Sequence, residues 1–474
     1  MKQALRILTV LVVALSASLI SAQEPQKIKG PDERYKVDIL VVVAHPDDEG
    51  AVTPYLARAI YDLHKSVAVV FGTRGGSGGN DYRREHGPAM ADVREIEARQ
   101  ACAKLGIDKV WFLGGKDTAS QNVLNSLANW GHGQSLEEMV RIVRLTRPEV
   151  IITWLPGIFI GENHGDHQAA GVLATEAFDL ADDSTAFPAQ LAGASKRLDP
   201  YLENLTPWQP KKIYYFSDAQ DSKQFAGKGF AYSVREVSPS QKKPYWLLAL
   251  RAAEPHLTQF PDEIHRWSSL SDEEIQKAMS DPSHLWWSEP ETLIFGKAAG
   301  VGAPNLRVTE TTGVFDDAVA QPSEKPGRVA ELPVSSGPMK TTVKIGGPWE
   351  FYDAFRIKHG LWQLPVASGP EIAVKSGSVV TVPIHVLRPM LAPAVLNLTA
   401  DVPTGWKVTG GTGKFSVAQG TDAQFRVEVQ IPEFSKEQLK GAKPETIVVH
   451  VSQDEKPIGE VKFKVQLVSG GVPQ

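Results

Sequence analysis

Four short, almost wholly apolar runs separated by helical patterns dominate residues 37–181, and they leave few folds open to the chain. The first, Val37-Asp38-Ile39-Leu40-Val41-Val42-Val43-Ala44, is rich in β-branched residues and nearly continuous. A strand with one wet face alternates apolar and polar residues, whereas a strand covered on both faces has no polar side to show. Residues 66–71, 110–113 and 150–154 carry the same signature. Helical patterns fall between and after them, over about 53–63, 90–105, 136–145 and 168–178, with Gly106 stopping the second and Pro148 ending the third. Strands alternating with helices predict an α/β fold: a Rossmann-like, mostly parallel sheet with helices on both faces. Such sheets bind ligands beyond the carboxyl ends of their strands, so the residues that do chemistry should lie just after strands.

At 474 residues the chain is too long for one ordinary domain. We divide it into a leader at 1–22, an α/β domain at 23–315 with a Trp-rich extension from about 199, a spacer at 316–340 and a β-sandwich module at 341–474. The extension carries Trp208, Trp246, Trp267, Trp286 and Trp287 and is expected to form loops and short helices. The module reads as β because runs at 378–386, 395–399, 424–429, 446–451 and 461–465 are separated by turn signals at 403–405 and 410–411; this predicts an antiparallel sandwich. Lys2 and Arg6 frame an apolar stretch ending at Ser21-Ala22, the layout of a secretory signal peptide, which places the protein as secreted or periplasmic. No later stretch reaches the roughly 18 apolar residues of a membrane span. The formal charge is −5, and −7 without Lys2 and Arg6, so nucleic-acid binding is excluded as a main role. The single cysteine, Cys102, excludes an internal disulfide and thiolate-rich metal sites; it reads as a small buried hydrophobe. Oligomeric state is not encoded in any pattern here.

Two polar clusters satisfy the strand-end rule. The first strand runs into His45-Pro46-Asp47-Asp48-Glu49, and the fourth is followed by His164-Gly165-Asp166-His167. Histidine nitrogens and carboxylate oxygens together suit a divalent metal. His45 and Asp48, three apart where a loop enters a helix, can aim at one point, and His167 closes a three-ligand set with an open position for water. Such a metal lowers the pKa of the water it holds. Asp47 points elsewhere and is the candidate general base. His164 is the candidate for stabilising an oxyanion or protonating a leaving amine. Asp166 can orient a histidine by accepting its second ring proton. A lone His-x-x-Asp is common, and an Asp after a strand also caps helices; it is the pairing of two clusters that favours the metal.

Ala44-His45-Pro46-Asp47-Asp48-Glu49 with His164-Gly165-Asp166-His167 resembles the PIG-L/LmbE-like family of zinc-dependent N-acetylglucosaminyl deacetylases. The helix bearing Arg94-Glu95-Ile96-Glu97, Ala101 and Leu105-Gly106 supports the resemblance, as does Thr73-Arg74-Gly75-Gly76, with Gly76 where the family often has an acid. The resemblance covers about residues 37–178. It implies a zinc site, or that of another divalent metal, made by His45, Asp48 and His167, with Asp47 as base and His164 as its partner. The implied reaction is removal of an N-acetyl group from an amino-sugar glycan or glycoconjugate. Arg94 is a candidate substrate contact, or else an ion-pair partner of Glu95 or Glu97; Asn163 is another substrate candidate, or a turn residue. The sandwich, through Ala400-Asp401-Val402-Pro403-Thr404-Gly405-Trp406, resembles the NEW3-type, immunoglobulin-like modules of secreted glycan-processing enzymes. Trp267, Trp286 and Trp287 suit sugar stacking or plain packing. Two other functions fit the same residues: a metal amidase releasing a larger acyl group, and a non-catalytic glycan-binding protein.

Overall fold

A computed structural model of the chain describes residues 31–159, 164–192, 204–218, 225–281, 284–299, 313–316, 341–361, 364, 369–388, 393–420 and 422–468. The leader, Asn163 and nearly all of the spacer lie outside these residues.

The first four expected strands are present: β1 (Ile39–Val43), β2 (Val67–Thr73), β3 (Lys109–Gly115) and β4 (Val150–Trp154). Every residue of β1, β2 and β4 is buried, which is why their sequences show no polar face. The helices between and after them are α1 (Thr53–Tyr61), α2 (Pro88–Lys104), α3 (Val123–Asn129), α4 (His132–Thr146) and α5 (Gly165–Leu180). α3 was not expected; it starts where the Asn122 side chain accepts the Leu124 N–H at 3.0 Å.

The extension adds strands as well as helices. β5 (Lys212–Phe216) pairs parallel with β4, while β6 (Gly229–Tyr232) and β7 (Glu291–Ala298) close the edge antiparallel. Between them lie α6 (Tyr245–Ala253), α7 (Pro261–Ser268) and α8 (Asp272–Ala278). These strands carry few β-branched residues and sit among prolines and tryptophans, where the strand–helix alternation of the first 181 residues has faded, so they were not read from the sequence. The finished sheet has the order β3-β2-β1-β4-β5-β7-β6 and is mostly parallel.

The C-terminal part holds β8 (Thr342–Ile345), α9 (Gly347–Lys358), β9 (Glu371–Lys375), β10 (Val379–Leu387), β11 (Ala394–Asp401), β12 (Lys407–Gly410), β13 (Gly413–Val417), β14 (Ala423–Gln430), β15 (Glu445–Gln453) and β16 (Lys456–Val468). They form two all-β sheets, β12-β14-β10-β8 and β13-β11-β15-β16-β9. The pairing is antiparallel except for β9 with β16, which run parallel and depart from the expected pattern. Val380, Val382, Ile384 and Val386 alternate inward from β10 into the core between the sheets, where Trp406 is also buried.

Helix α9 connects the two parts. Its Trp349 packs on Phe463 of the second core with ring centroids 5.1 Å apart, while Phe355 and the following Leu361 and Leu364 join the first core. His359, at its end, meets Asp179 through Nδ1 at 2.6 Å, and its carbonyl accepts from Lys297 Nζ at 2.9 Å.

Candidate metal centre

β1 and β4 are parallel neighbours, with Ile39 opposite Val150 and Val42 opposite Thr153. From β1 the sheet grows to β2 and β3 on one side and to β4 and β5 on the other. Strand order reverses at this point, the position where open α/β sheets leave a crevice for ligands. The two polar clusters are separated by more than a hundred residues of chain, yet they leave adjacent strand ends.

Asp48 is the best-held member. Its Oδ2 accepts three N–H groups: Ala44 at 2.9 Å, His45 at 2.9 Å and the Trp154 indole at 2.8 Å. Oδ2 is thereby saturated and Oδ1 faces the other cluster, 3.5 Å from His45 Nδ1 and 3.3 Å from His167 Nε2. His167 sits in the first turn of α5 and stacks on Trp154, with centroids 4.1 Å apart and planes within 3°. Neither of its buried ring nitrogens makes a hydrogen bond among the described residues. The ligating atoms of His45, Asp48 and His167 all lie within 4.8 Å of one another, as do those of His45, His164 and Asp166.

The far side of His45 is also controlled. Its Nε2 lies 3.3 Å from Asp166 Oδ2 and 3.2 Å from Asp117 Oδ1. Asp166 is fully buried and is held in turn by the Thr118 N–H at 2.9 Å. Two carboxylates on Nε2 leave Nδ1 as the free lone pair on the Asp48 side, the arrangement that orients a metal-ligating histidine. Burial opposes charge on His45, yet Asp48, Asp117 and Asp166 outweigh it and raise its pKa well above the usual imidazole range. Burial likewise opposes charge on Asp48, and His167 and His45 overcome it and pull its carboxyl well below normal. The pocket thus favours positive charge where the two rings and Asp48 meet. That charge preference, the orphaned nitrogens of His167 and the free Oδ1 fit a divalent cation.

His164 and Asp47 stand on the wall of the adjoining pocket, a cavity of about 220 Å³. His164 caps α5, its Nδ1 accepting the Asp166 N–H at 3.3 Å, which leaves the ring proton on Nε2. Burial, reinforced by His45 and His167, pushes its pKa down to about 2, so the ring is neutral. Asp47 has a left-handed backbone, φ 107°, a conformation that costs a non-glycine residue about 1–3 kcal/mol. The strain is held by Glu49, whose Oε2 accepts the Asp47 N–H at 3.0 Å and whose Oε1 meets His256 Nε2 at 2.7 Å. Burial foremost, then the charge of Asp48, raises the Asp47 carboxyl to about 7.

Arg94 lines the same pocket, but most of its donors are committed. They hold Gly75 O at 2.9 Å, Gly79 O at 2.6 Å and Thr258 Oγ1 at 3.3 Å. The expected pairs with Glu95 or Glu97 are replaced: Glu95 binds Arg74 and Arg99, and Glu97 binds Thr258. Arg94 therefore ties the glycine-rich loop after β2 to the extension. A Cβ on Gly75, at φ +68°, would stand 2.9 Å from Arg94 Cδ, so glycine is needed for this close approach.

Three contributors were not foreseen: Asp117, Gln259 and the Glu49–His256 pair. Asp117 lies two residues past β3 and was within reach of the strand-end rule. Gln259 and His256 come from the extension, where no local pattern marks them.

Residues 40–178 match the profile of the PIG-L family, described as GlcNAc-PI de-N-acetylase. Among curated proteins, the 1D-myo-inositol 2-acetamido-2-deoxy-alpha-D-glucopyranoside deacetylase of Salinispora arenicola is 27% identical over 346 residues, 67% of this chain and 98% of its own length. A protein of the same description from Frankia alni is 31% identical over 188 residues, 36% of this chain and 59% of its own length. Among solved structures, the N,N'-diacetylchitobiose deacetylase of Pyrococcus horikoshii is 19% identical with a TM-score of 0.37, over 54% of this chain and 83% of that one.

Proposed function

We propose that this protein, whose residues 40–178 match the PIG-L profile, is an exported, metal-dependent hydrolase that removes the N-acetyl group from an N-acetylglucosamine-type sugar or glycoconjugate. The observation that carries the reading is Asp48, with one oxygen saturated by three N–H donors and the other turned toward His45 and His167. His45, Asp48 and His167 would hold zinc or a similar divalent ion. That ion supplies Lewis-acid chemistry, making water acidic and polarising the amide oxygen.

The remaining work falls to the chain's own groups. In the reaction the amide C–N bond breaks, the oxygen of water joins the acyl carbon, and a proton of water reaches the departing nitrogen. Asp47, at the pocket wall, takes the proton from water and carries it to the nitrogen. His164 offers its Nε2–H to the oxygen on which charge develops. Asp117 and Asp166 keep the His45 ring turned so that Nδ1 faces Asp48. We place the protein outside the cytoplasm on the strength of its leader-like first 22 residues. The C-terminal sheets we read as a NEW3-type, immunoglobulin-like module that positions the enzyme; no helix among the described residues is long and apolar enough to cross a membrane.

The test is metal analysis together with acetate release from acetamido sugars. Asp47→Asn should lower turnover at least 100-fold with metal content unchanged; retained turnover removes Asp47 from its role. Release of a larger acid, identified by mass, would favour the amidase reading. Metal binding with no acid released from any N-acyl sugar would sink the substrate assignment and leave the metal centre.

A further inference from the structure

Residues 116–122, between β3 and α3, lie in neither helix nor strand. Yet this stretch carries both supports on the Nε2 side of His45: the Asp117 carboxylate, and the Thr118 N–H that holds Asp166. It also meets the start of the helix that bears His167. Ser120 O accepts the Gly165 N–H at 2.7 Å, and a Cβ on Gly165 would stand only 2.8 Å from that same oxygen. Asp117, Thr118 and Ala119 line the pocket beside the metal ligands. An irregular segment has no ladder of its own, so its position depends on the bonds that tie it to its surroundings.

One of those bonds leaves the α/β half altogether. Gln121 Nε2 donates to Ala373 O on β9 at 2.6 Å, across 252 residues of chain. β9 is the edge of its sheet, where one row of backbone groups has no neighbouring strand, and Gln121 supplies a donor there. Gln121 Oε1 is buried without a hydrogen-bond partner among the described residues, so the amide is held through its N–H and not through its oxygen. A second support comes from α9. Its Tyr352 is buried and stands edge-on to Phe159 with centroids 6.5 Å apart, and a Cβ on Gly157 would lie 3.0 Å from its Oη. Gly157 and Phe159 follow β4 on the way to His164. The C-terminal part therefore bears on the chain beyond β3 and on the chain beyond β4, the two places that lead to Asp117 and to the second polar cluster. A module that only spaced the enzyme from its surroundings would have no use for either contact.

We propose that the C-terminal part is a working component of the site: β9, through Ala373 O and Gln121, braces the stretch bearing Asp117 and Thr118 and so fixes the His45 ring for the metal. Gln121 is then a positioning residue. The inference rests on the metal-centre reading for its affinity measurement and is independent of it in amide exchange. Losing a group that directly orients a metal ligand costs about 10–100-fold in affinity; Gln121 acts further out, and its loss should cost about three- to tenfold. Zinc affinity is measured on the metal-free full chain by competition with a chelator. Gln121→Met keeps the length of the side chain and removes the donor together with the orphaned Oε1, so Tm of the metal-free protein should move little while zinc affinity falls. Val449→Ala opens a cavity in the core between the two β sheets; it should lower Tm yet leave zinc affinity within twofold. Amide exchange, read by mass spectrometry, should quicken around Thr118 and Gly165 in Gln121→Met and not in Val449→Ala. Zinc affinity within twofold of the parent in Gln121→Met, or an equal loss in Val449→Ala, overturns the inference. If the parent chain takes no zinc, the metal-centre reading fails and exchange decides: quickening confined to Gln121→Met upholds the brace, and unchanged exchange removes it.

Discussion

Replacing Trp154 by Phe isolates what the proposed metal centre owes to a single indole N–H. That N–H gives the shortest of the three bonds to Asp48 Oδ2, 2.8 Å against 2.9 Å for each backbone donor. A hydrogen bond to a charged group contributes about 1.5–3 kcal/mol. Without it, Oδ2 keeps two donors and the carboxylate is freer to turn, so Oδ1 is no longer fixed toward His45 and His167. Metal affinity should fall about 10–100-fold, the usual cost of losing a group that orients a ligand and close to the same energy. Phe keeps a ring under His167, so the stack now 4.1 Å apart is largely retained and the loss reports on the N–H. The smaller ring leaves a cavity that costs about 2–3 kcal/mol of folding stability, an effect that must be separated from affinity. Trp246→Phe supplies the comparison: it is equally buried, on α6, and does not touch Asp48. Zinc affinity is measured by competition with a fluorescent chelator on metal-free protein, alongside melting curves with and without metal. The reasoning fails if Trp154→Phe binds zinc within twofold of the parent, or if Trp246→Phe loses as much affinity.

Other substitutions probe the supports of the site. His256→Gln removes the 2.7 Å partner of Glu49, and with it the hold on the strained Asp47 backbone; kcat should fall about tenfold with KM and metal content little changed, as steady-state kinetics and metal analysis will show. Gly171→Ala sets a methyl 2.3 Å from Trp154 O and 2.9 Å from Pro156 N, both backbone atoms, so α5 must back away from β4 and carry His167 with it; chelator competition should show loss of tight metal binding, with Tm lowered too. Burial raises Glu291 from an ordinary 4.5 to about 7. A carboxyl raised on folding adds stability that is complete below its unfolded pKa and is lost as pH climbs through its folded one, here between about 4.5 and 7. Its partial exposure limits the effect to about 2 kcal/mol, and denaturant titrations of Glu291→Gln should lack that segment of the pH dependence.

The parts of the fold visible in the sequence are those set by short-range pattern. Residues 150–154 read as a strand and form one with the same bounds, because every side chain there is buried and the β-branched run has no competing period. His45, Asp48, His164 and His167 were visible because each cluster follows such a strand, and strand ends in a parallel sheet share one edge. Asp117 and His256 were not, since a lone acid and a lone histidine acquire meaning only from what lies across the fold. β5 and β7 lie where the strand–helix alternation of the first 181 residues has faded, and their sequences hold few β-branched residues. The parallel pairing of β9 with β16 depends on chain routing between them, which alternation does not encode. Helix α9 was missed inside a stretch read as wholly β, although Gly347-Pro348 opens it in the usual way for a helix start.

That helix has a practical bearing on how the protein can be shortened. A cut in the spacer near residue 340 looks safe from the strand pattern, but it would peel Phe355, Leu361 and Leu364 out of the α/β half and strand the Lys297–Asp179 pair without His359. The two halves are bolted together rather than strung on a tether, so a trimmed protein that still behaves well in solution should run through Leu364, and the bare sheets beyond it should carry the scar of the missing helix.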